Sequence, residues 1–149
     1  MTRGKQGVTF VRWISDIIPH LYLLNPEEKM VYLVDDDKSV RRAFELFLKS
    51  AGLDYRSFDS ANDFLAVFKQ GLQDTLVLDL NLPGMSGCDL LKELDQQGIH
   101  LLVIVVTAFD DPTSRKKCRQ YGVKAYLRKP VDGETLIDII QYNVEKVSL

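Results

Sequence analysis

The chain has 149 residues, 46% apolar, 27% charged and 9% aromatic, with a net charge of −2. That length suits one domain burying about two-thirds of its unfolded surface, and the apolar content excludes a disordered or collagen-like chain. No basic excess points to nucleic acid, and the longest apolar run, Leu101–Val106, falls far short of the ~20 residues a membrane helix needs.

Residues 1–28 stand apart as an N-terminal extension. Val11, Ile14, Ile18 and Leu21 have rough helical spacing, with Trp13 nearby and Pro19 interrupting. The stripe is short and broken, so an extra amphipathic helix, or an extension from an upstream translation start, is expected over a docking segment. No secretory leader is legible there, and a cytoplasmic protein is expected. From Met30 onward, short apolar runs alternate with longer amphipathic stretches. Met30–Val34, Thr75–Leu78 and Leu101–Val106 read as strands buried on both faces. Tyr55–Phe58 is short and more polar, as an edge strand is, and Ala125–Leu127 is a short fifth strand.

Between them the period becomes helical. Val40, Phe44, Phe47, Leu48 and Ala51 share a face ahead of Gly52. Phe64, Leu65 and Phe68 repeat the pattern between a Ser60 cap and Gly71. Leu90, Leu91 and Leu94 follow Ser86 and stop near Gly98. Asp111-Pro112 opens a helix to about residue 121 that has only Cys118 and Tyr121 to bury, and so narrow a stripe predicts a weakly held element. A last helix, opened by Asp132, carries Leu136, Ile139, Ile140, Tyr142, Asn143 and Val147. Five strands alternating with five helices make an α/β doubly wound domain, whose ligands sit at the carboxyl ends of the strands.

Those ends are rich in chemistry. Asp35-Asp36-Asp37 follows strand one; Asp79 follows strand three; Thr107-Ala108 ends strand four; Arg128-Lys129-Pro130 follows strand five. Carboxylates brought together repel unless a cation neutralises them, and a hard divalent ion such as Mg²⁺ suits an all-oxygen set. His20 and His100 lie away from these ends, which argues against zinc. A carboxylate can also be a nucleophile toward phosphorus, with Lys129 neutralising the transferred group and Thr107 bonding one of its oxygens. Each piece has a plainer reading: Asp37 is a helix cap, Lys-Pro a turn. Cys88 and Cys118 lack any paired spacing and read as two ordinary thiols. The basic run Arg115, Lys116, Lys117 and Arg119, with Lys124 and Arg128, reads first as a solvated face and second as a partner surface; no recognition motif makes it a DNA site.

Taken together, Val-Asp-Asp-Asp (34–37), Leu-Asp-Leu-Asn-Leu-Pro-Gly-Met-Ser-Gly (78–87), Val-Thr-Ala (106–108) and Lys-Pro (129–130) resemble the receiver domain of two-component response regulators. The intervals match as well: 43 residues from Asp36 to Asp79, 28 to Thr107 and 22 to Lys129. The resemblance covers about residues 30–147 and implies a five-stranded parallel sheet in the order 2-1-3-4-5, the flavodoxin-like receiver fold, with the domain at 29–149. It implies Asp79 as phosphoacceptor, and Mg²⁺ held by Asp36 directly, Asp35 through water, Asp79, and the backbone carbonyl of Asn81. Thr107 becomes the switch hydroxyl, Lys129 the phosphate-sensing lysine and Tyr126 the switch aromatic, with a cis Lys129–Pro130 peptide that the X-Pro bond permits. The implied partners are a histidine kinase or phosphotransfer protein, and an effector or second copy meeting the face built from residues 112–146; neither nucleic acid nor membrane is expected to bind this chain. Phe109, two residues past Thr107, is expected either to screen the acyl phosphate from water or to pack on the 112–121 helix. Two rival readings remain. One is a Mg²⁺ phosphohydrolase of the haloacid-dehalogenase type, which wants an Asp where Asn81 stands. The other is an interaction module without phosphate chemistry.

Overall fold

The computed structural model describes residues 29–69 and 74–142. Expectations for residues 1–28, Gly71, Asn143 and Val147 lie outside the described residues. Among the described residues five segments form one parallel sheet: β1 (Met30–Val34), β2 (Asp54–Phe58), β3 (Thr75–Leu78), β4 (Leu102–Thr107) and β5 (Ala125–Arg128). The order is β2-β1-β3-β4-β5. β2 is half-exposed because only β1 flanks it, whereas β3 is buried along its whole length between β1 and β4. β4 begins one residue later than its apolar run, since Leu102 is the first residue to pair, opposite Thr75, while its N–H bonds the Asp74 carbonyl.

Side chains alternate between two cores, as strand geometry requires. Val31, Leu33, Val77, Ile104 and Val106 face α1 (Lys38–Ser50) and α5 (Gly133–Tyr142). Tyr32, Val34, Leu76, Leu78, Val103 and Val105 face α2 (Ala61–Val67), α3 (Gly87–Gln96) and α4 (Pro112–Arg119). Phe64, Leu48 and Leu136 are fully buried, and removing any one to Ala should cost ~2–5 kcal/mol.

The helix signals resolve into real caps. Asp37, Ser60, Ser86 and Asp111 each accept from backbone N–H groups of the first turn, and Asp132 accepts from Thr135 N. Gly52 and Gly98 take positive φ just past α1 and α3. Three apolar positions depart from the periodic reading. Phe47 is 40% exposed because it lies over Gly133 rather than in the sheet core. Phe68 lies just past α2, in extended backbone, where its N–H bonds the Phe64 carbonyl. Tyr142 is exposed at the end of α5.

Candidate functional site

The sheet's backbone bonding runs past its strands and sets the site. Asp35 N donates to Phe58 O (3.1 Å), Asp79 N to Val34 O (2.9 Å) and Lys129 N to Thr107 O (2.8 Å). Three residues following three strands are thereby fixed on one rim. Lys129–Pro130 is cis. Lys129 Nζ donates to Asp35 Oδ2 (2.6 Å) and to Asp79 Oδ2 (3.2 Å). Asp35 and Asp79 are buried, Asp36 is exposed, and carboxylate oxygens of all three lie within 4.8 Å of one another.

Three carboxylates against one ammonium leave the rim with excess negative charge. Burial raises the Asp79 pKa above the ordinary carboxylate value; the Asn81 N–H opposes this, Asp35 adds to it and Lys129 opposes it. Burial alone would lower Lys129, but the hydrogen bond and charge of Asp35, with Asp79 behind it, win and raise it. The cluster supplies oxygen ligands only, the set a hard divalent cation takes.

Asp35 is already committed. Its Oδ1 accepts from Asp37 N (2.9 Å) and its Oδ2 from Lys129, so the exposed Asp36 is the freer carboxylate. Asn81 links the next pair. Its N–H donates to Asp79 Oδ1 (3.1 Å) and its side-chain amide to Thr107 Oγ1 (3.3 Å). Thr107 is fully buried and also accepts from Phe109 N (3.3 Å). The rim therefore joins Asp35, Asp36, Asp79 and Lys129 directly, and reaches Thr107 through Asn81.

Local packing fixes the loop after Asp79. Gly87 N donates to Leu80 O (3.0 Å), and a Cβ on Gly87 would stand 2.5 Å from Asp79 O and 2.7 Å from Leu80 Cα. Glycine is required here by close approach of α3 to the loop.

Residues 31–141 match the family model described as response regulator receiver domain. The chain belongs to that family. The receiver is 36% identical over 112 residues to the DNA-binding transcriptional regulator NtrC of Salmonella typhimurium, covering 75% of this chain and 24% of NtrC. It is 34% identical over 116 residues to the transcriptional regulatory protein FixJ of Azorhizobium caulinodans, covering 78% of this chain and 55% of FixJ. The chain thus spans about a quarter to about half the length of these curated relatives. Among solved structures, FixJ-N superposes with a TM-score of 0.71 at 29% identity, covering 82% of this chain and 98% of that one. The response regulator StyR does so at 0.71 and 33%, covering 76% and 58%.

Two features of this receiver escaped the sequence reading. Arg115, grouped there with the basic face, turns inward: its guanidinium pairs with Asp110 (2.7 Å) and lies 4.9 Å from the centre of the Tyr126 ring. Tyr126 is buried, and its hydroxyl and Arg115 Nε are buried atoms without a hydrogen-bond partner among the described residues. Burial also pushes the Tyr126 hydroxyl up to about 12. The second feature is Cys88 and Cys118, whose sulfurs lie 3.7 Å apart across α3 and α4. Phe109 is 73% exposed, so at most a small part of its ring packs on α4.

Proposed function

We propose that this receiver is a phospho-switched signalling module rather than a metabolic enzyme, and that Asp79 is its phosphoacceptor. The receiver unit would occupy residues 29–149, with 1–28 as an extension. The observation that carries the reading is a buried strand-end carboxylate 3.2 Å from a lysine ammonium and grouped with two further carboxylates.

Asp36 and Asp79, with the backbone carbonyl of Asn81 and with Asp35 through water, would hold Mg²⁺, which supplies charge neutralisation for an incoming phosphoryl group. The chain's own residues do the rest. An Asp79 carboxylate oxygen attacks phosphorus in line; the bond from phosphorus to the donor's histidine nitrogen breaks, and that nitrogen keeps the electron pair. Lys129, already seated on Asp79, moves its charge onto the new phosphoryl oxygens. Thr107 then leaves Asn81 to bond one of those oxygens, and Tyr126 turns into the space vacated. The face built from residues 112–146 changes shape as a result. The phosphoryl group need supply only the difference in energy between two conformations.

The partners that fit are a histidine kinase or phosphotransfer protein as donor, and an effector or second copy at the 112–146 face. Neither nucleic acid nor membrane is assigned to this chain, and the cytoplasm is the setting that suits a kinase-fed switch. No described helix is long and apolar enough to cross a membrane.

The test is incubation with Mg²⁺ and acetyl phosphate or beryllofluoride. A stoichiometric adduct absent in Asp79→Asn supports the proposal; an adduct that survives the substitution overturns it. Turnover of a phosphate ester would instead support the haloacid-dehalogenase alternative, which the amide of Asn81, unable to act as a general acid, disfavours.

A further inference from the structure

The two cysteines read as unrelated thiols from their spacing, and the fold brings them together. Cys88 sits in the first turn of α3 and is partly exposed; Cys118 sits in the last turn of α4 and is fully buried. Their sulfurs are 3.7 Å apart, and a disulfide needs them ~2.05 Å apart, so a closing movement under 2 Å suffices. We propose that Cys88 and Cys118 form a peroxide-sensitive intrachain disulfide that fastens α4 to the first turn of α3.

The two thiols have different parts. Cys88 lies in the first turn of α3, where the helix dipole favours an anion. A hydrogen bond from Cys118 lowers it to about 7 against the cost of burial; Lys117 assists, while Asp89 and Asp111 oppose. That same bond, with burial, pushes Cys118 up. Cys88 is therefore the attacking thiolate and Cys118 the resolving thiol.

The chemistry balances with hydrogen peroxide as oxidant. The Cys88 thiolate attacks one peroxide oxygen, the O–O bond breaks, and the departing hydroxide takes a proton to become water. Cys88 is then a sulfenic acid. The Cys118 sulfur attacks that sulfur; the S–S bond forms, the S–O bond breaks, and the hydroxide leaves with the Cys118 proton as a second water. Two thiols and one peroxide become one disulfide and two waters.

The consequence follows from where each helix is anchored. The start of α3 is fixed by Gly87 against the Asp79 loop. Among the residues of α4, only Cys118 is buried. Oxidation ties the loosely seated helix to the fixed one. The crosslink stands on geometry alone; its effect on signalling rests on the phosphoacceptor reading.

The test treats the 149-residue chain with stoichiometric hydrogen peroxide and follows thiols, intact mass and peptides. The expected result is loss of both thiols, a mass lower by two hydrogens, a Cys88–Cys118 peptide and full reversal by a dithiol. In the reduced chain, iodoacetamide should modify Cys88 at least tenfold faster than Cys118. In Cys118→Ser, dimedone should capture a sulfenic acid on Cys88; in Cys88→Ser, Cys118 should survive the same dose. Surviving thiols in the unsubstituted chain, disulfides between chains, or equal reactivity of the two cysteines would each overturn the proposal. A second arm adds beryllofluoride to reduced and oxidised protein and follows amide signals of residues 113–119. The oxidised chain should show less than half the shift of the reduced one, and an equal shift would overturn the restraint on α4. If reduced protein binds no beryllofluoride, the phosphoacceptor reading fails while the thiol result stands.

Discussion

Replacing Gly87 with alanine should damage the site without touching any of its side chains. The new Cβ would stand 2.5 Å from Asp79 O and 2.7 Å from Leu80 Cα, both backbone atoms that cannot swing aside. Reaching an ordinary 3.4 Å contact requires a retreat of about 0.9 Å. Movement of that size along the same direction stretches the 3.0 Å bond from Gly87 N to Leu80 O beyond hydrogen-bonding range. Overpacking of this kind costs ~1–3 kcal/mol and the lost bond ~1 kcal/mol, against at most ~1 kcal/mol gained from alanine's helix propensity. A net loss of ~2 kcal/mol lowers Tm by about 4–8 °C for a chain of this size. Displacing Asp79 by a fraction of an ångström should also slow phosphorylation by acetyl phosphate by ~10–100-fold. Gly133→Ala is the control. Its Cβ would run into the Phe47 ring, but that ring is 40% exposed and can rotate into solvent. It should cost no more than ~1 kcal/mol and leave phosphorylation unchanged. Equal Tm values and equal rates for Gly87→Ala and the unsubstituted chain would refute the close-approach argument.

Asp79→Asn should raise Tm in metal-free buffer. Asp79's folded pKa is raised, so the folded state holds its proton more tightly than the unfolded chain, and stability falls as pH rises from the ordinary carboxylate value through the folded one. The gain should thus be present at pH 7 and vanish near pH 3; equal gains at both would contradict it. Arg115→Ala removes the cation–π contact and the Asp110 pair, with an expected loss of ~1 kcal/mol and faster hydrogen exchange across α4; unchanged exchange there would separate Arg115 from the helix. Phe109→Glu should speed loss of phosphate from Asp79, because an exposed ring beside Thr107 sheds water where a carboxylate orders it; decay at the same or a slower rate would remove that role.

The parts of the fold visible in the sequence are those fixed by local pattern. Nearly continuous apolar runs located β1 and β3 to the residue, because strands buried on both faces carry few polar positions, the hydroxyl of Thr75 at the start of β3 being one. Capping residues located the helix starts, since a side chain accepting from first-turn N–H groups leaves a local signature. The rim was legible because doubly wound sheets collect ligand groups at strand ends, and the four motifs resembled a known family. Contacts between distant segments left no such mark. Cys88 and Cys118 are thirty residues apart, and their meeting depends on how α3 and α4 pack. Arg115 read as one of a run of basic residues, yet the Tyr126 ring and Asp110 draw it inward. Phe47 fits the apolar stripe of α1, but Gly133 leaves room for its ring at the seam with α5.

Lys129 is a clasp between two acidic groups that would otherwise push apart. A phosphoryl group on Asp79, as proposed above, would compete for that clasp and draw the ammonium partly away from Asp35. On that proposal the repulsion that the ammonium holds in check at rest would be released as a push at the mouth of β1, save for the share that a cation bound among the same carboxylates takes up.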